Sequence, residues 1–362
     1  MSGTILLIGT RKGLWIARSD AARTSWDLTG PHFLMSEVAS CAVDTRRDKP
    51  RLLVGVMSWH WGPQVLRSDD LGETWEGEKA NAVEFPKDTG AALQRVWQLA
   101  PGPADQPDVV YAGTEPSALF RSVDGGESFT LLRGLWDHPH REHWHPGGGG
   151  QAIHTVLPHP TDQQRVTVAM STGGVYRTFD SGDSWAPANK GIEVDFMPEE
   201  RFPEYGQCVH KVGLHPDRPE RLFAQNHGGV YRSDDGGDLW TSIAAGLPSD
   251  FGFPIVVHPA DPDSLFVFPV VGAEERFPPE GKARVWRSRD AGQTWQAHGN
   301  GLPDGFYTAV MRDAMCVDDA DPAGVYFGSR DGSVFASNDE GESWTAVAQH
   351  LPDVLSVRAA SL

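Results

Sequence analysis

The chain has 362 residues, among them 40 glycines, 27 prolines and 13 tryptophans, a composition of short strands, tight turns and large aromatic wedges rather than of long helices. A formal charge of −18 repels phosphate backbones and anionic bilayers, which argues against nucleic-acid and membrane partners, and no stretch reaches the roughly 18 apolar residues of a membrane span. The start reads as a strand without a basic leader, and the three cysteines, Cys41, Cys208 and Cys316, are odd in number and far apart, so a cytoplasmic protein without a disulfide framework is expected.

In chain order, strand patterns at 5–8 and 14–18 lead into Ser19-Asp-Ala-Ala-Arg-Thr-Ser-Trp26, and the next unit ends on Ser68-Asp-Asp-Leu-Gly-Glu-Thr-Trp75. The pattern S-x-D-x-G-x-[ST]-W then returns at 122–129, where Phe129 replaces the tryptophan, and at 178–185, 233–240, 288–295 and 337–344, with 19–26 as a decayed copy. The terminal aromatics are 49, 54, 56, 55, 55 and 49 residues apart, a period that marks a repeat architecture. The Asp carboxylate suits backbone N–H groups of its own turn, the Gly permits a positive φ, and the aromatic ring wedges between sheets. Such an element is a hairpin staple, not an active site.

Each copy follows one strand, as at 174–177, 229–232 and 284–287, and that strand follows another, as at 221–224 and 264–267. An apolar strand opens the unit, as at 152–157, and ends on a His-Pro turn at His159, His215 or His258. Four strands per unit make a propeller blade. The expected fold class is therefore all-β, a seven-bladed β-propeller over residues 1–362. Blade 1 lacks a first strand while 354–360 is surplus, so the C-terminal strand is expected to pair beside 5–8 and close the ring.

Seven copies provide an internal control, because a feature present in every blade is scaffold. By that test the repeat aspartates and the arginines at 18, 67, 121, 177, 232 and 287 are structural. The turns joining second and third strands differ between blades and carry Arg11, His60 between Trp59 and Trp61, Glu115, His227, Arg276 and Arg330. They open on the face opposite the repeat turns, together with the long inter-blade links at 76–94, 133–150 and 189–206. Alignment on the His-Pro turns puts Arg95, His154, His210, Phe253 and Asp313 at one depth, with Arg312 beside Asp313. A ligand site is expected at that mouth, with Glu115, His154, His210 and Asp313 as catalytic candidates. Arg11, His60, Arg95, His227, Arg312 and Arg330 are the ligand-binding candidates.

The segment 138–145 holds four histidines, and His154, His210 and His227 follow. Imidazole suits zinc and similar ions, so a divalent metal held by histidines is one reading; a rim loop of stacking and hydrogen-bonding histidines is the blander one. The glycine run at 147–150 lacks the strand, helix and Lys-Ser/Thr of a phosphate loop and reads as a flexible link.

The repeats resemble the Asp-box, or bacterial neuraminidase (BNR), repeat across nearly the whole chain. Gly113-Thr-Glu-Pro116, His145-Pro-Gly-Gly-Gly-Gly150 and Gln225-Asn-His-Gly228 look like segments of bacterial single-propeller sialidase-like, or BNR-repeat glycosyl hydrolase, proteins. The resemblance implies a glycosidase with an arginine clamp, for which Arg11, Arg95, Arg312 and Arg330 are available, and a carboxylate pair, for which Glu115 and Asp313 are available. The Arg-Ile-Pro signature of sialidases is absent, sialidases are usually six-bladed, and only Tyr205 and Tyr307 offer a nucleophilic tyrosine, so true sialidase activity is not expected. Asp-box xyloglucanases pair two propellers around a cleft, and this chain has one. Photosystem assembly factors and sortilin-type receptors use the same repeats as binding platforms. The expected function is binding of a small anionic or polyhydroxylated ligand by a hydrolase or lyase; the alternative is a non-enzymatic protein-binding scaffold.

Overall fold

A computed structural model describes residues 3–146, 150–194 and 200–362, and in it each eight-residue repeat is a hydrogen-bonded turn. Asp70 accepts from the Thr74 backbone N–H at 2.8 Å and from the Thr74 hydroxyl at 2.5 Å, while Ser68 Oγ accepts from the Gly72 N–H at 2.8 Å. Gly72 has φ +94°, and a Cβ there would meet Ile16 Cδ1 of the neighbouring blade at 2.4 Å, so the position requires glycine. The aspartate bonds recur at Asp124, Asp180, Asp235, Asp290 and Asp339. The decayed copy keeps them through Asp20 and Thr24.

The arginine at the end of the third strand staples blades together. Arg18, Arg177, Arg232 and Arg287 donate to the carbonyls of Leu71, Gly236, Ala291 and Glu340. Each carbonyl directly precedes the turn glycine of the next blade, so these charges belong to the scaffold. Two of the repeat tryptophans do the same: Trp240 and Trp295 donate through Nε1 to Ala188 O and Ile243 O of the preceding blade, both at 2.8 Å.

The blades form a seven-bladed β-propeller of antiparallel sheets. Blade 1 runs Val354–Ser361, Thr4–Thr10, Gly13–Ser19, Trp26–His32 from the channel outward. Blade 2 has Glu37–Asp44, Arg51–Ser58 and Gly62–Ser68, its outer strand reduced to an Arg67–Glu76 bridge. Blades 3 to 7 are four-stranded and open on Arg95–Pro101, Ile153–Pro158, Val209–His215, Gly252–His258 and Met315–Val317. The C-terminal strand closes the ring as expected, pairing antiparallel from Thr4–Ser361 to Thr10–Val354 with one register shift between Gly9 and Thr10, and Val354 and Val357 are fully buried. Neighbouring first strands touch all the way round.

The 133–150 link includes a helical turn, Arg133–Trp136, and a 3-10 turn, Pro139–His143. Residues 147–149 of the glycine run and 195–199 of the 189–206 link lie outside the described residues. Among the described residues no helix is long and apolar enough to cross a membrane.

Candidate functional site

A β-bulge sets two residues against one and re-aims the extra side chain. Blades 1 to 6 each bulge near the channel end of the first strand. The unpaired residues are Leu355, Ala39, Trp97, His154 and His210, with Phe253 and Pro254 sharing the gap in blade 6. Leu355, Ala39, Trp97, His210 and Phe253 all line one cavity at the channel mouth, with an empty volume of about 1060 Å³ including its opening. The inner circle of the propeller thus builds the site through a repeated backbone irregularity that presents Leu, Ala, Trp, His and Phe from blades 1, 2, 3, 5 and 6.

Of the ten candidate residues, Arg11, Arg95, His210, His227, Arg312, Asp313 and Arg330 border this cavity. Three do not. His154 occupies the bulge of blade 4 but is fully buried: Nε2 donates to Val209 O at 2.9 Å, and Nδ1 lies 3.2 Å from Thr155 Oγ1. Burial, reinforced by the charges of Arg312 and Lys211, holds it neutral. Glu115 stands behind the wall, accepting from Trp97 Nε1 at 2.8 Å and facing Arg95 at 3.4 Å. His60 lies in a separate rim concavity with Trp59, Trp61, Leu34 and Met35. In blade 3 the bulge residue is Trp97, not Arg95. Arg95 pairs with Glu115 at the start of the strand, two residues nearer the rim.

The cavity arginines fall into two groups. Arg11 is paired with Glu37 at 2.8 Å and Asp353 at 3.1 Å, Arg95 with Glu37 at 2.8 Å, and Arg330 with Asp353 at 2.9 Å. Arg312 is different. It is 7% exposed, its Nε donates to His210 O at 3.2 Å, and its guanidinium lies 5.4 Å from the Trp97 ring and 5.9 Å from the Phe253 ring. Among the described residues it has no ion-pair partner. Burial pulls its pKa down, but a guanidinium stays protonated. Arg276 also lines the cavity without an ion pair among the described residues, donating to Ala273 O at 2.7 Å and lying 5.7 Å from the Phe253 ring.

Asp313 is tied down. Its Oδ1 accepts from Lys211 Nζ at 2.8 Å and from Arg358. Burial alone raises its pKa, yet the two cations outweigh burial and hold the carboxyl below its ordinary value. Lys211, Asp313 and Arg358 come from blade 5, the entry to blade 7 and the closing strand, so this group braces the channel beneath the site. A carboxylate held ionised in this way is no proton donor.

The 138–145 segment is a packed rim loop. His140 stacks on Tyr205 at 3.9 Å, its Nδ1 lies 3.0 Å from Tyr176 Oη, and His138 Nδ1 accepts from the His140 N–H at 3.1 Å. The histidines that do meet a possible ligand are His210 and His227, whose ring nitrogens lie within 4.8 Å of each other and of Cys208 Sγ.

Sequence reasoning missed Glu37, Trp97, Cys208, Phe251 and Met311 as cavity residues and left Arg276 among the turns. A position five residues before a turn proline's predecessor would have found Trp97, since Gly102-Pro103 ends its strand as His-Pro ends the others. No His-Pro turn marks blade 2, which hid Glu37.

No family model matches the chain. It is 26% identical over 226 residues to an oligoxyloglucan-reducing-end-specific xyloglucanase of Emericella nidulans, an alignment covering 55% of this chain and 24% of that one. The chain spans about a quarter of the length of the curated relatives it matches. An ancestral GH74 enzyme superposes with a TM-score of 0.57 at 16% identity, covering 86% of this chain and 38% of the other. YCF48 bound to D1 peptide superposes with a TM-score of 0.53 at 15% identity, covering 91% and 84%. What this chain shares with those structures is the propeller fold.

Proposed function

We propose that the cavity binds a small polyhydroxylated ligand carrying an anionic group, and that the chain is a single-propeller member of the Asp-box group acting on it as a hydrolase or lyase. The observation that carries this reading is Arg312. A buried guanidinium that makes no ion pair among the described residues, with only the more distant charge of Asp313 to offset it, is unfavourable by itself, and a bidentate carboxylate or phosphate would satisfy both its charge and its planar donors. Arg276 reinforces the positive field. Trp97, Phe251 and Phe253 add apolar faces for the C–H side of a sugar ring, in keeping with binding sites that combine apolar walls and few polar anchors.

The sugar-cleaving relatives support the ligand class. Asp313, ionised by Lys211 and Arg358, is unsuited to the acid role that glycoside hydrolysis requires, which leaves Glu37, clamped by Arg11 and Arg95, as the cavity's other carboxylate. Three buried cysteines without disulfides fit a reducing compartment such as the cytoplasm.

The test is incubation with hexuronate oligosaccharides, sugar phosphates and neutral oligosaccharides. New reducing ends without a new chromophore report hydrolysis, and new reducing ends accompanied by an unsaturated product absorbing in the near ultraviolet report elimination. Binding and turnover confined to neutral sugars would refute the anionic reading.

A scaffold reading draws on one observation, the exposed apolar rim of Trp59, Trp61, Leu34 and Met35. In that reading a Trp59→Ala/Trp61→Ala variant loses a protein partner while small-ligand binding is nil in the parent protein.

A further inference from the structure

Cys208, His210 and His227 meet on the wall of the cavity, with Sγ and one ring nitrogen from each histidine all within 4.8 Å of one another. One hairpin holds all three. Cys208 and His210 flank the start of the first strand of blade 5, His227 follows the second strand, and the His227 N–H donates to Cys208 O at 2.9 Å.

The protonation pattern of His210 follows from its partner. Nδ1 lies 2.5 Å from Gly252 O, and a carbonyl only accepts, so Nδ1 carries the proton and Nε2 keeps its lone pair. Metal-ligating histidines are oriented by this kind of bond from the other ring nitrogen. The ring is further fixed by stacking on Phe253 at 4.8 Å and by edge contacts with His227 and Phe251 at 5.6 and 5.3 Å. His154 lacks this property, since both of its nitrogens are engaged.

We infer that Cys208, His210 and His227 form a three-ligand site for one divalent cation of the zinc class, with a fourth position open to the cavity. One sulfur and two imidazole nitrogens suit zinc or cobalt and exclude magnesium and calcium, which take oxygen ligands. Ligand atoms around a tetrahedral zinc sit about 3.3–3.6 Å apart, given bonds of about 2.0–2.3 Å, so small side-chain rotations close the cluster on the ion. Three protein ligands with one vacant position is the arrangement of reactive rather than purely structural zinc sites. The inference shares the cavity of the proposed function but not its ligand.

The test is titration of chelator-treated protein with Co(II), followed by competition with Zn(II) and elemental analysis after dialysis. The expected result is one ion per chain, a sulfur-to-cobalt charge-transfer band and tetrahedral d–d absorption, all removed by Zn(II). Cys208→Ser should lose the charge-transfer band and bind at least tenfold more weakly. His227→Ala should also weaken binding at least tenfold, and His60→Ala should leave it unchanged. Folded parent protein that gives no cobalt spectrum, or a Cys208→Ser protein that keeps the band, overturns the site. Should Cys208→Ser not fold, His227→Ala carries the test by itself, and unchanged affinity in that variant overturns the site. No organic ligand enters these measurements, so failure here leaves the Arg312 reading standing, and the reverse also holds.

Discussion

Deleting residues 354–362 should abolish the cooperative fold. The deletion removes the channel-side partner of Thr4–Thr10, leaving only Gly13–Ser19 beside a strand whose Ile5, Leu6, Leu7 and Ile8 are completely buried. Val354 and Val357 are fully buried as well, and loss of their burial costs about 3–6 kcal/mol at roughly 1.5–3 kcal/mol per side chain. Arg358 leaves with them, so buried Asp313 keeps only Lys211; breaking a buried ion pair costs about 3–5 kcal/mol. Together these reach roughly 6–11 kcal/mol, against a typical total stability of about 5–15 kcal/mol. Soluble yield, the calorimetric melt and urea unfolding are the readouts, with Val357→Ala as a graded companion expected to cost about 2 kcal/mol. A truncated protein that melts at the parent temperature in a single sharp transition would refute the closure.

Three further outcomes follow from the scaffold. Asp124→Ala should destabilise the protein at neutral pH. The folded pKa of Asp124 is about 2 against 3.8 in the unfolded chain, since the bonds from Ser122 and Ser128 outweigh a burial effect of opposite sign. Its stabilisation is therefore present above about pH 4 and lost as pH falls through about 2, and urea midpoints of parent and variant should converge over that window; a gap independent of pH would contradict the assignment. Lys211→Met should cost about 3 kcal/mol, with much of the loss recovered in a Lys211→Met/Asp313→Leu double variant, as read by urea unfolding; independent effects of the two changes would show that the channel brace is not coupled. His154→Ala should lower the melting temperature without changing Co(II) affinity, and a tenfold loss of cobalt binding would mean that His154 takes part in the site after all.

The fold was legible because its signals repeat. A turn such as 233–240 states its own hydrogen bonds, and the arginines beside the turns were recognisable as scaffold because they recur. The surplus strand at 354–360 showed the closure for the same reason: the blade count exposed what was missing at the start. The site was legible only in outline. Second-to-third-strand turns brought Arg11, His227 and Arg330 to the cavity, but the bulges decide which first-strand residues point inward, and their one sequence mark is the spacing to the turn proline, which blade 3 carries as Gly102-Pro103 rather than His-Pro. Hence Trp97 stands where Arg95 was expected, and His154 and His210, both bulge residues, part ways because Val209 O captures one ring and Gly252 O orients the other. Cys208 read only as a redox indicator, since its nearness to His227 depends on hairpin pairing across eighteen intervening residues.

The most direct test of the account is a double-mutant cycle between Arg312 and the anionic group of a ligand. Calorimetry would compare parent and Arg312→Gln proteins, each against a hexuronic acid and the neutral hexose of the same configuration. Losing either the guanidinium or the carboxylate is expected to weaken binding at least tenfold, about 1.4 kcal/mol, and losing both to add little more, because the two changes remove one interaction. Equal affinity of the parent protein for acid and neutral sugar, or an Arg312→Gln protein that still prefers the acid by the parent's margin, would contradict it.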